Sequence, residues 1–558
     1  MAAPERSAAP RRVDRTTPRG NGSSGDGTGA GGPTSGGGGR RLAVSTAFFS
    51  VATGVSRIAG LVREIIAASY FGVSGAMSAF TVAFQVPNLM RALFADAALQ
   101  GAFVPVFTEL LEKGRRKEAL TVAWSVFSLM AALLGALTLL FLLLAGPIMS
   151  AVTPGFHNSP ELRHLTITMS RVMFPVVLLL ALSGIVVGML NSVGHFSVPA
   201  LTPVIWNVII IGCLVLLRHQ FSPGHEIYAY AIGVLLGTIA QFVIPLPVLL
   251  RAGLPIKASF DWRNPEVWRV LRLMLPVTIA LGLINFDALI NSIFGTLVSD
   301  QAPAAIDKAF RIYQLPQGLF SVAIATVLFP TLARLAARDD YHGVRNTMAN
   351  GVRQTLLLLI PSAVLLAVLA QPITRLVYQR GAFGGGATHL VSIALVCWSF
   401  SLPFQGASLL FSRTFFSIQK PWLNTSLSLV NLAVNTTFSA IFYYPWGITG
   451  VVLGSVAGTL VMALCQAAVL RRDLGGIDGS ETLRTIARIA LATVVMGVTS
   501  YFVWWLFDAG LGRSLIAQII SLGLGIGAGI LVYAGCVLQM NVPEAHQIKR
   551  LLPGRARL

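Results

Sequence analysis

A chain of 558 residues that is 54% hydrophobic and only 11% charged, with a mean hydropathy of +0.73, is too apolar for a soluble domain, in which about a quarter of residues are charged. The net charge of +19 would point to nucleic acid in a soluble protein. Here the basic residues fall mostly between apolar runs, so they read as topology signals and contacts with anionic lipid headgroups, and no nucleic acid is expected.

Apolar runs of this length must form helices or a closed barrel in a bilayer. They do not alternate, so an all-α polytopic membrane protein is expected. Residues 1–41 are rich in Gly, Ser, Pro and Arg without an apolar core, and read as a disordered basic tail rather than a signal peptide. Helices are then expected at about 43–70, 76–111, 119–150, 161–192, 200–219, 226–250, 265–298, 304–337, 344–370, 388–417, 421–444, 446–470, 482–507 and 513–540. These make about fourteen spans. With the N-terminal tail inside, the basic segments 113–117, 251–272, 334–353, Lys420, 471–488 and the tail from Lys549 fall on the cytoplasmic side, as the positive-inside rule requires. The outside loop 371–387 with Arg375 and Arg380, and the inside turn SVGHFSVP without Lys or Arg, are the exceptions. Both termini are thus expected in the cytoplasm.

Proline and asparagine positions repeat in order. Pro87 and Pro316 are 229 residues apart, Pro105 and Pro330 are 225 apart, Pro175 and Pro403 are 228 apart, and Asn207 and Asn431 are 224 apart. Two six-helix halves running the same way through the membrane account for this, with a binding site expected between them. The expected divisions are 42–258 for the first half, 259–472 for the second, 473–541 for an added helix pair and 542–558 for a C-terminal tail.

The first two spans are unusual in carrying Arg57, Arg63, Glu64, Arg91 and Asp96. Charge at the bilayer centre costs about 3 kcal/mol or more, so such groups face a polar interior. The eighth span adds Lys308 and Arg311, and snorkelling to the headgroups fits Lys308 well and Arg57 fairly well. Bases outnumber acids in this set, which calls for an anionic ligand, and the planar fork of arginine suits phosphate. Asp287 stands alone in the seventh span and marks a site for an ion or proton. Asn431 and Asn435, one turn apart, offer further oxygen ligands. His residues are scattered, the four cysteines form no metal or disulfide pattern, and no HExxH, GxSxG or phosphate-loop motif occurs, so neither an enzyme nor a cofactor is expected.

The stretches SRIAGLVREIIAASYFG at 56–72 and VAFQVPNLMRALFADAALQGAFVPVFTE at 82–109 resemble the MurJ (MviN) family of lipid II flippases, within the multidrug/oligosaccharidyl-lipid/polysaccharide exporter superfamily. TPGF at 153–156, the run 174–207, FRIYQLPQGLFSVAIATVLFPTLA at 310–333 and YQRGAF at 378–383 continue the resemblance over roughly 42–540. The resemblance implies two six-helix lobes plus a C-terminal pair that admits a long lipid tail. It implies movement of undecaprenyl-pyrophosphate-linked peptidoglycan precursor from the inner to the outer leaflet of a bacterial plasma membrane. It assigns Arg57, Arg63, Arg91 and Arg311 to substrate binding, Glu64 and Asp96 to gate ion pairs, and Asp287, Asn431 and Asn435 to coupling by Na+ or H+. Lipid II, anionic lipids and the cell-wall synthesis machinery are the implied partners. Ser78 and Gln314 replace acids found in some members. An exporter of another polyprenyl-linked glycan, a drug/cation antiporter, and an envelope scaffold or transferase are the alternative readings. An antiporter wants a carboxylate-rich cavity, and a transferase wants an acid cluster at the headgroups.

Overall fold

The computed structural model describes residues 36–94, 97–257, 259–476, 479–540, 542 and 544. Contacts divide the chain into two units, Met1–Ala47 and Phe48–Leu558, and the second forms the bundle. In chain order the helices are α1 (Gly36–Phe71), α2 (Gly75–Phe94), α3 (Ala97–Glu112), α4 (Arg116–Val152), α5 (Pro160–Met173), α6 (Pro175–Ser192), α7 (Ser197–Leu216), α8 (Tyr228–Val243), α9 (Pro245–Arg251) and α10 (Pro265–Val298). They continue as α11 (Ala302–Pro316), α12 (Val322–Ala336), α13 (Tyr341–Val368), α14 (Ala370–Tyr378), α15 (Gly385–Ser399), α16 (Leu402–Ser417), α17 (Pro421–Trp446), α18 (Ile448–Asp473), α19 (Gly479–Leu511) and α20 (Leu515–Gln539). No strand occurs among the described residues.

Each expected span is helical among the described residues, the expected 76–111 being α2 and α3 on either side of residues 95–96, and several of the differences lie at prolines. Pro175 and Pro245 open α6 and α9 at N1, where a missing N–H costs nothing, so the expected single helices 161–192 and 226–250 are each jointed. A π-helical turn, Gln317–Ser321, follows Pro316 between α11 and α12. The α15–α16 break bends that span by 47°. Helix α14 falls in what sequence reads as a loop. By length and hydropathy alone, ten helices qualify as spans, or eleven with the α15–α16 pair, so fourteen is not recovered on that criterion. The charged and amide side chains of α2 depress its apolar average without removing its helix. At the ends, α1 starts at Gly36 rather than near 43, and the two described residues of the expected C-terminal tail, Val542 and Glu544, are buried.

The apolar core is joined at one end and divided at the other. One cluster unites Phe71, Met77 and Phe80 with Met169, Tyr230, Ile306, Tyr313, Tyr378, Trp398 and Val451, drawing on both halves of the sequence. Elsewhere the core separates. One cluster takes Phe103, Phe107, Trp124, Met130 and Met189 together with Val267 and Val270 of α10. Another takes Leu332, Met348, Leu410, Phe415 and Leu470. The joined end is closed further by backbone contact. The Ala382 N–H donates to Ser69 O at 2.8 Å, and a Cβ on Gly381 would lie 2.3 Å from that same oxygen. Gly381 also adopts φ +57°, a left-handed conformation that only glycine adopts without strain.

Candidate functional site

Helix α1 places Glu64 at the centre of a buried charge cluster. Its Oε1 accepts from Arg63 Nη2 at 2.7 Å and from the Tyr230 hydroxyl at 3.3 Å. Its Oε2 accepts from Lys308 Nζ at 2.6 Å and lies 3.4 Å from Arg311 Nε. Arg311 also donates to Asp307, one turn earlier on α11, at 2.9 Å. Three cations therefore surround two carboxylates, with one positive charge left over. Desolvating each ion costs several kcal/mol, and only close, well-aligned partners offset it. Arg311 is the accessible member: its side chain is 36% exposed, against 10% for Arg63 and 0% for Lys308.

The burial of Lys308 corrects the snorkelling expectation. Ala304, Ala305 and Ala309 around it are fully buried, so the ammonium points into the bundle and not toward headgroups. The ring centre of Tyr378 lies 5.8 Å from it. Arg63 likewise turns inward. Its Nη1 donates to Asn207 Oδ1 at 3.0 Å, and its guanidinium stacks 4.8 Å from the Trp206 ring centre. Asn207 in turn donates to Pro203 O at 2.9 Å, which fixes its amide. Sequence matched Asn207 to Asn431 as a repeat pair but gave it no role; its place opposite Arg63 emerges only from the folding of α7 against α1.

The other expected cations lie apart from this cluster. Arg57 is exposed, and its Nη1 would stand 3.7 Å from a Cβ on Gly318 in the π-helical turn. Arg91 is half-buried and donates to Asn88 Oδ1 through Nη2 at 2.9 Å, while Asn88 reaches Asn285 of α10 at 3.5 Å. Asp96 lies outside the described residues. Ser78, where some family members carry an acid, is fully buried and accepts from the Ala304 N–H at 3.2 Å. A neutral hydroxyl there caps the start of α11.

Asp287 anchors a second polar group between α10, α17 and α18. It accepts from Asn435 Nδ2 at 2.5 Å and Ser455 Oγ at 3.4 Å. Asn291 donates to Ser455 Oγ at 2.8 Å, and Ser439 donates to Asn435 Oδ1 at 3.0 Å. Asn431 does not join this set; its Oδ1 is buried with no partner. Gly458 allows that placement, since a Cβ there would lie 2.3 Å from Asn431 Oδ1. Among the described residues, no cluster of three His, Cys, Asp or Glu side chains could hold a metal. The donors here are a single carboxylate with amides and hydroxyls. Such hard oxygens, with one orphaned carbonyl nearby, fit a monovalent cation better than a transition metal.

A cavity of about 880 Å3 adjoins both groups. Its wall includes Asp287 and Asn431, the α11 residues Asp307, Phe310 and Gln314, and Gln405, Ser412 and Arg413 of α16; Gln85 comes from the first half. Gln314, the second position where some members carry an acid, contributes an amide. Sequence had not singled out Arg413, which lies near the end of an apolar span where arginine is common.

A bundle of broken apolar helices, joined at one end and divided at the other, with charged groups and a polar cavity inside it, defines a polytopic membrane transporter. Solved structures agree on the fold. A multidrug-resistance MATE transporter of the MOP superfamily in an inward-facing conformation superposes with a TM-score of 0.61 at 16% identity, covering 78% of this chain and 97% of that one. A structure of the lipid II flippase MurJ in an inward closed conformation reaches 0.72 at 24% identity, covering 88% and 99%. The family model for lipid II flippase MurJ matches residues 67–520, and the chain belongs to that family. A probable lipid II flippase MurJ of Buchnera aphidicola is 29% identical over 477 residues, 85% of this chain and 93% of its own. The lipid II flippase MurJ of Burkholderia cenocepacia is 32% identical over 357 residues, 63% and 68%. The family is one of transporters and not of catalysts, and places the chain in the bacterial inner membrane as a multi-pass protein.

Proposed function

We propose that this chain carries lipid II from the inner to the outer leaflet by alternating access, with both termini in the cytoplasm. The observation that carries the reading is the surplus positive charge at Glu64, held so that Arg311 alone of its three cations is substantially exposed. A diphosphate entering from the divided end meets Arg311 in a site where Coulomb attraction far exceeds its value in water. Paired donors from the guanidinium suit its oxygens. Arg57 of α1 and Arg91 of α2 are further contacts. Arg63 and Lys308 hold Glu64 and so hold the joined end shut.

The two halves, 42–258 and 259–472, then rock so that the joined end parts and the divided end closes. The helix pair α19–α20 presents exposed Ile519, Leu524, Ile530 and Leu531, an apolar face suited to the polyprenyl tail. Asp287, Asn435, Asn291 and Ser455 would hold a monovalent cation, with Asn431 as an added oxygen; such an ion supplies charge to balance Asp287. Anionic lipids would meet the basic cytoplasmic loops, and the cell-wall synthesis machinery would supply and take up the lipid. A drug/cation antiporter is disfavoured because the deep cluster is net cationic.

The test is depletion of the protein in its host, with lipid II in the outer leaflet measured by accessibility to an external probe. A fall of outer-leaflet lipid II with accumulation inside is expected. Unchanged outer-leaflet lipid II after depletion contradicts the reading.

A further inference from the structure

Arg413 is a cation without a carboxylate. It lies on the wall of the 880 Å3 cavity, and among the described residues no acid pairs with it. Its Nε is buried without a hydrogen-bond partner, and its guanidinium packs 5.5 Å from the Phe329 ring centre. A snorkelling arginine would extend to water at the helix end; this one is laid against an aromatic ring inside the bundle. Every acid on the cavity wall is already engaged. Asp307 binds Arg311, and Asp287 accepts from Asn435 and Ser455.

The groups beside Arg413 are neutral and prearranged. Gln466 donates to Ser412 Oγ at 3.1 Å and to Asn424 Oδ1 at 2.8 Å, and Ser412 donates to that same oxygen at 3.0 Å. Asn424 therefore turns its carbonyl to the protein and keeps its NH2 group to donate elsewhere. Gln466 Oε1 is buried with no partner. A cation and an amide donor at one end of a cavity, the donor fixed from behind by buried Gln466, match a carboxylate.

Distance separates this site from Arg311. The Ser401 hydroxyl donates to the Tyr313 hydroxyl at 2.9 Å, which sets the start of α16 level with α11 two residues past Arg311. Twelve residues of helix from Ser401 place Arg413 about 18 Å further along, at 1.5 Å per residue. One diphosphate is too compact to touch both arginines, whereas an extended peptide of five or six residues covers about that length.

We propose that Arg413, with Asn424 held in place by Gln466, forms a second anion subsite that receives a carboxylate of the peptide on the lipid-linked headgroup while the diphosphate is held at Arg311. This rests on the lipid II reading. The full-length protein in nanodiscs is titrated with lipid II bearing free peptide carboxylates and with lipid II whose peptide carboxylates are amidated. The native protein is expected to prefer the free carboxylates by about tenfold, the loss of one charge-assisted pair. Arg413→Gln is expected to erase the preference while binding the amidated lipid as before, and Arg413→Lys to keep part of it. Equal binding of both lipids by the native protein overturns the subsite, as does a preference that survives in Arg413→Gln. Binding of neither lipid by the native protein overturns the lipid II reading itself. A dependence of the Arg413→Gln effect on phosphatidylglycerol in the disc, with no dependence on peptide amidation, assigns Arg413 to bilayer phosphate and overturns the proposal.

Discussion

Lys308 Nζ stands 2.6 Å from Glu64 Oε2, and the two side chains are 0% and 5% exposed. The pair ties α11, in the second half of the chain, to α1, in the first. It lies beside the apolar cluster that unites Phe71, Met77 and Phe80 with Ile306, Tyr378 and Val451. A bond of this kind holds firmly while closed, and its partners need new ones when the halves part.

Removing Glu64 leaves the fully buried Lys308 ammonium without a carboxylate, whereas removing Lys308 still leaves Glu64 with Arg63 and Arg311. Glu64→Gln is expected to destabilise the protein by about 3–5 kcal/mol, read as a fall in the detergent-solubilised melting temperature. The double variant Lys308→Met, Glu64→Gln is expected to recover part of that loss, because the fully buried ammonium is then gone. A double variant no more stable than the single one argues against a direct pair.

The joined end has to open for transport. Cysteines at Ser69 and Ala382, whose backbones share a 2.8 Å hydrogen bond, are close enough for a disulfide. Oxidation is expected to stop lipid II translocation in proteoliposomes, and reduction to restore it. Transport that continues through the cross-linked state contradicts a rocking mechanism.

Asp287 and Asn435 form the centre of the oxygen-lined group between α10, α17 and α18. Added Na+ or another monovalent cation is expected to raise the melting temperature of the native protein, by preferential binding to the folded state, and to have no such effect on Asp287→Asn. Gly458→Ala, whose Cβ would lie 2.3 Å from Asn431 Oδ1, is expected to weaken the same response by pushing α17 from α18. An identical cation response in the native protein and Asp287→Asn places the ion elsewhere.

The helical framework was legible in the sequence because lipid enforces it: long apolar runs have no other stable backbone arrangement. The joints at Pro175, Pro316 and Pro403 were visible as prolines and the one at Pro245 was not singled out; whether a proline kinks or breaks its span depends on what packs beside it. Glu64, Arg63 and Arg311 stood out because charge is rare in spans. Lys308 was misjudged since snorkelling depends on which way a side chain turns, and the buried alanines around it were the available clue. Arg413 and Asn207 gave still less signal. Each takes its meaning from a helix far away in the chain, Arg413 from Phe329 of α12 and Asn207 from Arg63 of α1.

The central claim is that the accessible guanidinium of Arg311 receives the diphosphate. Its most direct test is lipid II translocation in proteoliposomes of purified protein, comparing native, Arg311→Lys and Arg311→Ala. Arg311→Ala is expected to lose binding and translocation at least tenfold, since a charge-assisted bidentate contact contributes more than ~1.4 kcal/mol. Arg311→Lys, with the charge but not the fork, is expected to fall between. Native rates of translocation in Arg311→Ala would contradict the account.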